Sequence, residues 1–289
     1  MTILQSIVYG VVQGLTEFIP VSSTAHLRLV PAFMQWTDPG AGFTAVIQLG
    51  TVLAVLIYFF KDLSGAFKGW VGSFKGDKNS VEARTGWAVF YASVIISVVA
   101  LALKNQIEGP FRSLYVVAFS MIFMAILMYI ADSRKDNQRT IDSIQIADGI
   151  KIGLWQCFAL IPGMSRSGSS IAGAQFGGFD RSSAARLSFL MSVPAVALAG
   201  IYEFAKGYKH LAGDMKMQTI VATIVSFVVG YACISWLITF ISTKGTRPFV
   251  AYRIVLGLLI LVLCATGRID PKPSSEESNV PPKASTTAV

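Results

Sequence analysis

The stretch VVQGLTEFIPVSSTAH, Val11–His26, decides how this chain must be read. It gathers an amide, a carboxylate, four hydroxyls and an imidazole between apolar flanks. The rest of the chain makes that cluster costly: of 289 residues, 53% are hydrophobic and 14% charged, and the mean hydropathy is +0.59. A soluble domain of this length needs polar helix faces toward water, and long tracts here have none. An integral membrane protein is therefore expected. Polar groups at span depth are then tolerated only against protein or a water-filled cavity, so the cluster should line a site.

A full span needs about 20 mostly apolar residues. Six segments qualify, at roughly 43–60, 86–103, 113–131, 185–204, 217–240 and 248–266. Segments 2–19 and 145–161 are also apolar but short, and each breaks at a proline, Pro20 or Pro162, followed by small polar residues. They read as broken or re-entrant elements. Residues 1–267 form a single membrane domain on this reading. The tail 268–289, rich in Pro, Ser, Lys and Glu, is expected to be disordered.

The two halves resemble each other. EFIPVSS (Glu17–Ser23) lines up with ALIPGMS (Ala159–Ser165), and FTAVIQLGTVLAVLIYFF from Phe43 with LSFLMSVPAVALAGIYEF from Leu187. RSLYVVAFSMIFMAILMYIAD from Arg112 lines up with VAYRIVLGLLILVLCATGRID from Val250. The shared order points to a duplication, with halves of about 1–132 and 145–267. One broken element plus three spans gives each half an odd number of crossings, so the second half inserts upside down. The expected fold is an all-α polytopic membrane protein, an inverted repeat of two halves, whose broken helices meet near the bilayer midplane.

The formal charge of +8 comes from Lys and Arg scattered through short loops, with no basic run interleaved with aromatics, which argues against nucleic acid. Connections 61–85, 133–151 and 241–247 hold eleven Lys or Arg, and the opposite loops hold five. By the positive-inside rule the first group is cytoplasmic, which places both termini and the mouth of the first break outside. The first apolar segment lacks a basic leader, so no cleavable signal peptide is expected. Cys157, Cys233 and Cys264 read as isolated buried thiols. No Walker loop, dinucleotide fingerprint or His/Cys metal set is present, which disfavours coupling to nucleotide.

Gln13 and Glu17, four apart, share one helix face and could hold a divalent ion, or Glu17 could act as a base. After Pro20 come Ser22, Ser23, Thr24 and His26; one of the hydroxyls is expected to cap the next helix, and His26 can serve as base, nucleophile or proton donor. The second break, PGMSRSGSS (Pro162–Ser170), offers Ser165, Arg166, Ser167 and Ser170 beside a new helix start, a cradle suited to phosphate. Glu17 is one partner for Arg166. Arg181 and Arg186 mark the start of a span, Arg253 either snorkels or joins the cavity, and GAQFG (Gly173–Gly177) is a helix-packing signal.

These residues resemble the bacterial undecaprenyl-diphosphate phosphatases of the BacA/UppP type. The resemblance rests on QGLTEFIPVSSTAH for the family's (E/Q)xxxE and PxSSxxH region and on PGMSRSGSS for its PGxSRSxxT region, and it runs from Thr2 to Gly267. It implies an inner-membrane enzyme, its site open to the periplasmic or outer face, that converts undecaprenyl diphosphate to the monophosphate carrier of peptidoglycan synthesis. A divalent cation, Mg²⁺ or Ca²⁺, is implied as cofactor, and so is bacitracin resistance, with bacitracin competing by binding the substrate; a homodimer is left open. Carried over by position, Glu17, Ser23, His26 and Arg166 are catalytic, Ser22, Ser165, Arg166, Ser167 and Ser170 bind phosphate, and Glu17 with Gln13 binds metal. Gln13 stands where many members have Glu, and Ser170 where the pattern has Thr. Ser23, an activated water or His26 remain alternative nucleophiles. The competing class is a secondary transporter or flippase of an anionic lipid or small anion, because inverted repeats with broken helices also build transporters.

Overall fold

The computed structural model describes residues 1–108, 110–211 and 215–271, so the tail assigned from residue 268 lies outside the described residues from 272 onward. Among the described residues there are twelve α-helices and no strand. The first half holds α1 (Ile3–Thr16), α2 (Ser23–Met34), α3 (Gly40–Tyr58), α4 (Phe60–Ser73), α5 (Val81–Ala102), α6 (Lys104–Glu108) and α7 (Leu114–Asp132). The second holds α8 (Ile146–Cys157), α9 (Arg166–Phe176), α10 (Arg181–Leu211), α11 (Lys216–Lys244) and α12 (Arg247–Ala265).

Local chemistry sets these boundaries. Thr2 opens α1 through a reciprocal capping box with Gln5, and the Ser80 hydroxyl accepts from the Ala83 N–H at the start of α5. Five helices, α5, α7, α10, α11 and α12, are long and apolar enough to cross a membrane. The remaining segment, expected as a span over 43–60, is α3; at Phe59 the chain turns by 80° and continues as α4. The connection 61–85 is thus not a plain loop. Its first part is a second helix, hidden from a hydropathy reading because lysines and glycines alternate with its aromatics.

Packing crosses between the halves in reciprocal pairs. Helix α1 lies on α11 while α8 lies on α5, and α3 meets α10 as α7 meets α12. Glycines permit the closest of these approaches: a Cβ on Gly14 would stand 2.8 Å from the Val229 Cβ, and one on Gly153 would stand 2.7 Å from the Ala92 Cα. Without lipid-excluded apolar gain, tight contact of this kind is what drives helix association in a bilayer. The exchange of partners is compatible with two halves related by inversion. Gly173, in the packing motif of α9, faces the Trp155 side chain of α8.

Ion pairs gather where the sequence places its basic loops. Arg181 pairs with the buried Asp132 (2.7 Å), Arg186 with Asp62 (2.8 Å) and Arg139 with Asp148 (2.6 Å). Asp132 also accepts from Gln175 (3.0 Å) and from the Thr246 N–H (3.3 Å), joining the ends of α7, α9 and the α11–α12 turn. The two arginines at the head of α10 are therefore anchored rather than only marking its end. All three cysteines are free thiols.

Candidate active site at the junction of two broken helices

Helix α1 carries the first set of groups. Gln13 and Glu17 share its buried face, and the Gln13 amide donates to Glu17 Oε2 (3.0 Å). The helix ends at Thr16, and Pro20, which has no N–H, ensures that it does not resume directly. Ser22 then takes a left-handed conformation (φ 76°) and its hydroxyl accepts from the Ala25 N–H (3.4 Å), starting α2. Ser23 stands one residue into that helix and its hydroxyl donates to Glu17 Oε2 (2.7 Å).

The second break repeats this plan. Gly163 has φ 96° and passes directly under the Val117 carbonyl, where no Cβ fits. Ser165 has φ 73°, its hydroxyl accepts from the Gly168 N–H (3.2 Å), and α9 follows. Such conformations cost about 1–3 kcal/mol in a non-glycine residue and persist only when surroundings dictate them. Arg166, the first residue of α9, reaches across the junction to Glu17 Oε1 (2.7 Å). One buried carboxylate is thereby shared by the arginine of one half and the amide and serine of the other.

The other predicted groups are placed less centrally. Ser165 and Ser167 hydroxyls lie 3.1 Å apart, and Ser167 also donates to the Ile19 carbonyl (3.4 Å). Ser170 donates to the Arg166 carbonyl (2.8 Å), which holds the start of α9 and turns this hydroxyl along the helix. Ser22 serves as the cap. His26 Nδ1 lies 2.8 Å from the Ser22 carbonyl, which fixes that nitrogen as the donor, and Nε2 lies 2.6 Å from the Tyr252 hydroxyl. The imidazole and phenol rings are stacked, 5.7 Å between centroids at 10°. Among the described residues, neither Ser23 nor Glu17 hydrogen-bonds to His26.

Two neighbours in α12 complete the junction. Arg253 is fully buried and does not snorkel: it donates to the carbonyls of Pro20 (3.1 Å), Gly163 (2.7 Å), Met164 (3.0 Å) and, on α7, Met121 (3.2 Å). Both breaks are thus held by one guanidinium. Its four acceptors are neutral, so with Arg166 it leaves two cations to one carboxylate, an excess that favours an anion here. Tyr252 carries no signal in the sequence. An intramembrane arginine at 253 was the only pointer to this helix.

Beside Arg166, a narrow cleft scarcely large enough for a water molecule lies between α3 and α10. Phe18, Val52, Val55, Val193 and Val196 wall it together with Thr51 and Ser192, whose hydroxyls are spent on carbonyls of their own helices. Arg166 gives this cleft a charged end and the valines give it an apolar wall. For a divalent cation, the observation that matters is Gln13 Oε1, buried and without a partner next to the Glu17 carboxylate. One carboxylate and one amide oxygen match the way Mg²⁺ is held when substrate phosphates and waters supply its other ligands. Among the described residues no group of three or more His, Cys, Asp or Glu forms a self-sufficient metal cage.

The family model described as bacitracin resistance protein BacA matches residues 6–259. The chain is 45% identical over 285 residues to an undecaprenyl-diphosphatase of Myxococcus xanthus, covering 97% of this chain and 95% of that one. It is 45% identical over 279 residues to an undecaprenyl-diphosphatase of Thermobifida fusca (96% and 95% covered), and 45% identical over 287 residues to undecaprenyl-diphosphatase 2 of Streptomyces coelicolor (94% and 98% covered).

Proposed function

The chain belongs to the BacA family of bacitracin resistance proteins, and on that premise we propose that the junction of its two broken helices is where undecaprenyl diphosphate is cleaved. The activity is hydrolysis of that lipid to undecaprenyl phosphate and inorganic phosphate, which returns the carrier to peptidoglycan and other envelope synthesis. The observation that carries the placement is the Glu17 carboxylate, which holds Ser23 on one oxygen and Arg166 on the other. The transporter reading is not favoured: the relatives are named as diphosphatases, and charge recognition alone gives no reason to set a hydroxyl against a carboxylate.

The proposed mechanism assigns Arg166, with the N–H groups of Arg166 and Ser167 that precede the first helical bond of α9, to the terminal phosphate. Arg253 adds positive potential at the same place. Glu17 takes the proton of the Ser23 hydroxyl as its oxygen attacks the terminal phosphorus. Undecaprenyl phosphate leaves, and water then releases inorganic phosphate from Ser23. An attacking water held by Glu17 gives the same products without the covalent stage. His26, with Nε2 capped by Tyr252, fits a role in positioning and proton handling better than one as nucleophile. A divalent cation at Glu17 and Gln13 would supply further neutralisation of the phosphates. The diphosphate head meets the junction and the prenyl chain stays in lipid. Orientation from loop charge puts the site toward the outer face of the inner membrane, and bacitracin acts by sequestering the substrate.

The test is phosphate release from a prenyl diphosphate by purified protein in detergent, with and without EDTA, beside Glu17→Ala and Arg166→Ala. Metal-dependent release lost in both variants supports the site. Full activity in either well-folded variant overturns it. Trapping of labelled phosphate distinguishes the chemical routes: label on Ser23 supports the covalent route, and label on His26 sinks it.

A further inference from the structure

Helix α4 takes no part in the site, yet its sequence is patterned. The pairs Phe60-Lys61, Phe67-Lys68 and Phe74-Lys75 recur every seven residues. Seven residues make about two helical turns, so the three phenylalanines fall on one stripe, which Val71 joins. Lys61 and Lys68 lie in a parallel stripe about 100° further round, and the turn that follows α4 carries Lys75. Phe60, Phe67, Val71 and Phe74 are exposed, and so are all three lysines. The opposite face is small and packed. Ala66 and Ser73 are buried, and a Cβ on Gly69 would stand 2.6 Å from the Glu82 Cβ of α5. The helix is therefore locked with its Phe and Lys stripes outward.

Two independent features fix where this helix sits. Its 80° turn from α3 lays it across the direction of the apolar helix before it. Trp70 packs in an aromatic cluster with Trp87 (5.9 Å) and Phe90 (5.8 Å), and Trp87 stacks on Tyr91 (5.6 Å). Tryptophan and tyrosine gather at the boundary between hydrocarbon and headgroups. The carboxylate of α4, Asp62, is turned to Arg186 of α10, away from the lysine stripe.

We propose that α4 and the turn after it lie in the membrane interface, where the phenylalanine stripe enters the headgroup end of the acyl layer and Lys61, Lys68 and Lys75 bind the phosphates of anionic phospholipids. The stripe gives the protein a lipid-binding surface separate from its catalytic junction. Its occupant is a bilayer lipid rather than a protein because the apolar and cationic rows run side by side along the helix, as acyl chains and phosphates do at a membrane surface.

Two measurements on the full-length protein test this. In neutral detergent, phosphatidylglycerol should raise the melting temperature more than phosphatidylcholine does, and high salt should remove the margin. Lys61→Gln/Lys68→Gln/Lys75→Gln should lose most of that margin. Lys135→Gln/Lys151→Gln/Lys244→Gln removes equal charge from exposed lysines outside α4 and should keep it. Equal loss in both triple variants, or no margin in the parent, overturns the proposal. In the second measurement, Phe67→Cys on a background with the three native cysteines changed to Ala carries an environment-sensitive dye in phosphatidylglycerol vesicles. Quenching by brominated acyl chains supports insertion of the stripe, and quenching by aqueous iodide alone overturns it.

Discussion

The two breaks share a backbone and differ in chemistry. Each follows a buried glutamine, Gln13 or Gln156, nine residues before a serine with positive φ, Ser22 at 76° or Ser165 at 73°. Each serine caps its helix from the same position, and each break surrenders carbonyls to Arg253. Counting back from those serines, Glu17 of the first break corresponds to Leu160 of the second, and counting forward, Ser23 corresponds to Arg166. The two breaks thus repeat one scaffold, and the candidate reactive groups are divided between them. The carboxylate and hydroxyl stayed on one side and the guanidinium on the other, so that the Glu17–Arg166 contact exists only when both halves are folded together.

That division predicts a graded series of effects. Glu17→Ala should be the most severe, about 10³-fold or more in kcat/KM, because it removes the proton acceptor for Ser23 and leaves Arg166 without its partner. Assay of phosphate release at matched protein folding checks this. Arg166→Lys keeps the charge but loses the fork that can hold carboxylate and phosphate together, and about 10²-fold is expected. A small effect there would mean that the second break contributes only charge, and the contrast between the two breaks would weaken.

Arg253→Met probes what the breaks have in common. Filling the volume while stranding four carbonyls should lower stability by about 3 kcal/mol or more, seen as an early melt in detergent, and activity should fall with it. Tyr252→Phe preserves the stack on His26 and deletes one hydrogen bond, so about a fivefold loss with an altered pH–rate profile is expected if His26 handles protons. An unchanged profile would remove His26 from the chemistry. The smallest effect belongs to Ser22→Gly and Ser165→Gly, where loss of a cap is offset by relief of positive φ and stability should change by no more than about 1 kcal/mol. The alanine variants, which lose the cap and keep the strain, should melt lower than the glycine variants at both breaks. A difference between the breaks would show that one serine does more than cap.

That Glu17, Ser23 and Arg166 belong to the two breaks is legible because charged and nucleophilic groups have no inert reason to stand in apolar segments. Ser22 and Ser170 were not separable from them by sequence. A hydroxyl that caps or turns back on its own helix has the same composition as one that faces a ligand, and only the direction of its hydrogen bond distinguishes them. The prolines also align the breaks one residue out of step: Pro20 precedes Ser22 by two positions, whereas Pro162 precedes Ser165 by three. The conformational match lies at the serines, where φ rather than residue identity is repeated. Helix α4 is hidden in the sequence for a different reason, since an interfacial helix is neither apolar enough to read as a span nor polar enough to read as a loop.

The sequence by itself determined the solvent, the broken segments and the family, because hydropathy and short motifs are local properties carried by neighbouring residues. The motifs already offer Glu17 as one partner for Arg166, but tertiary structure alone decided that this pair forms and that His26 meets Tyr252. Glu17 and Arg166 are 149 positions apart, and His26 and Tyr252 are 226 apart. Contacts over such separations depend on how helices from different halves cross, and no periodicity records that. Arg253 shows the physical reason most plainly: a guanidinium within a span must find acceptors, and only the folded chain shows that they are the carbonyls left unpaired at both breaks.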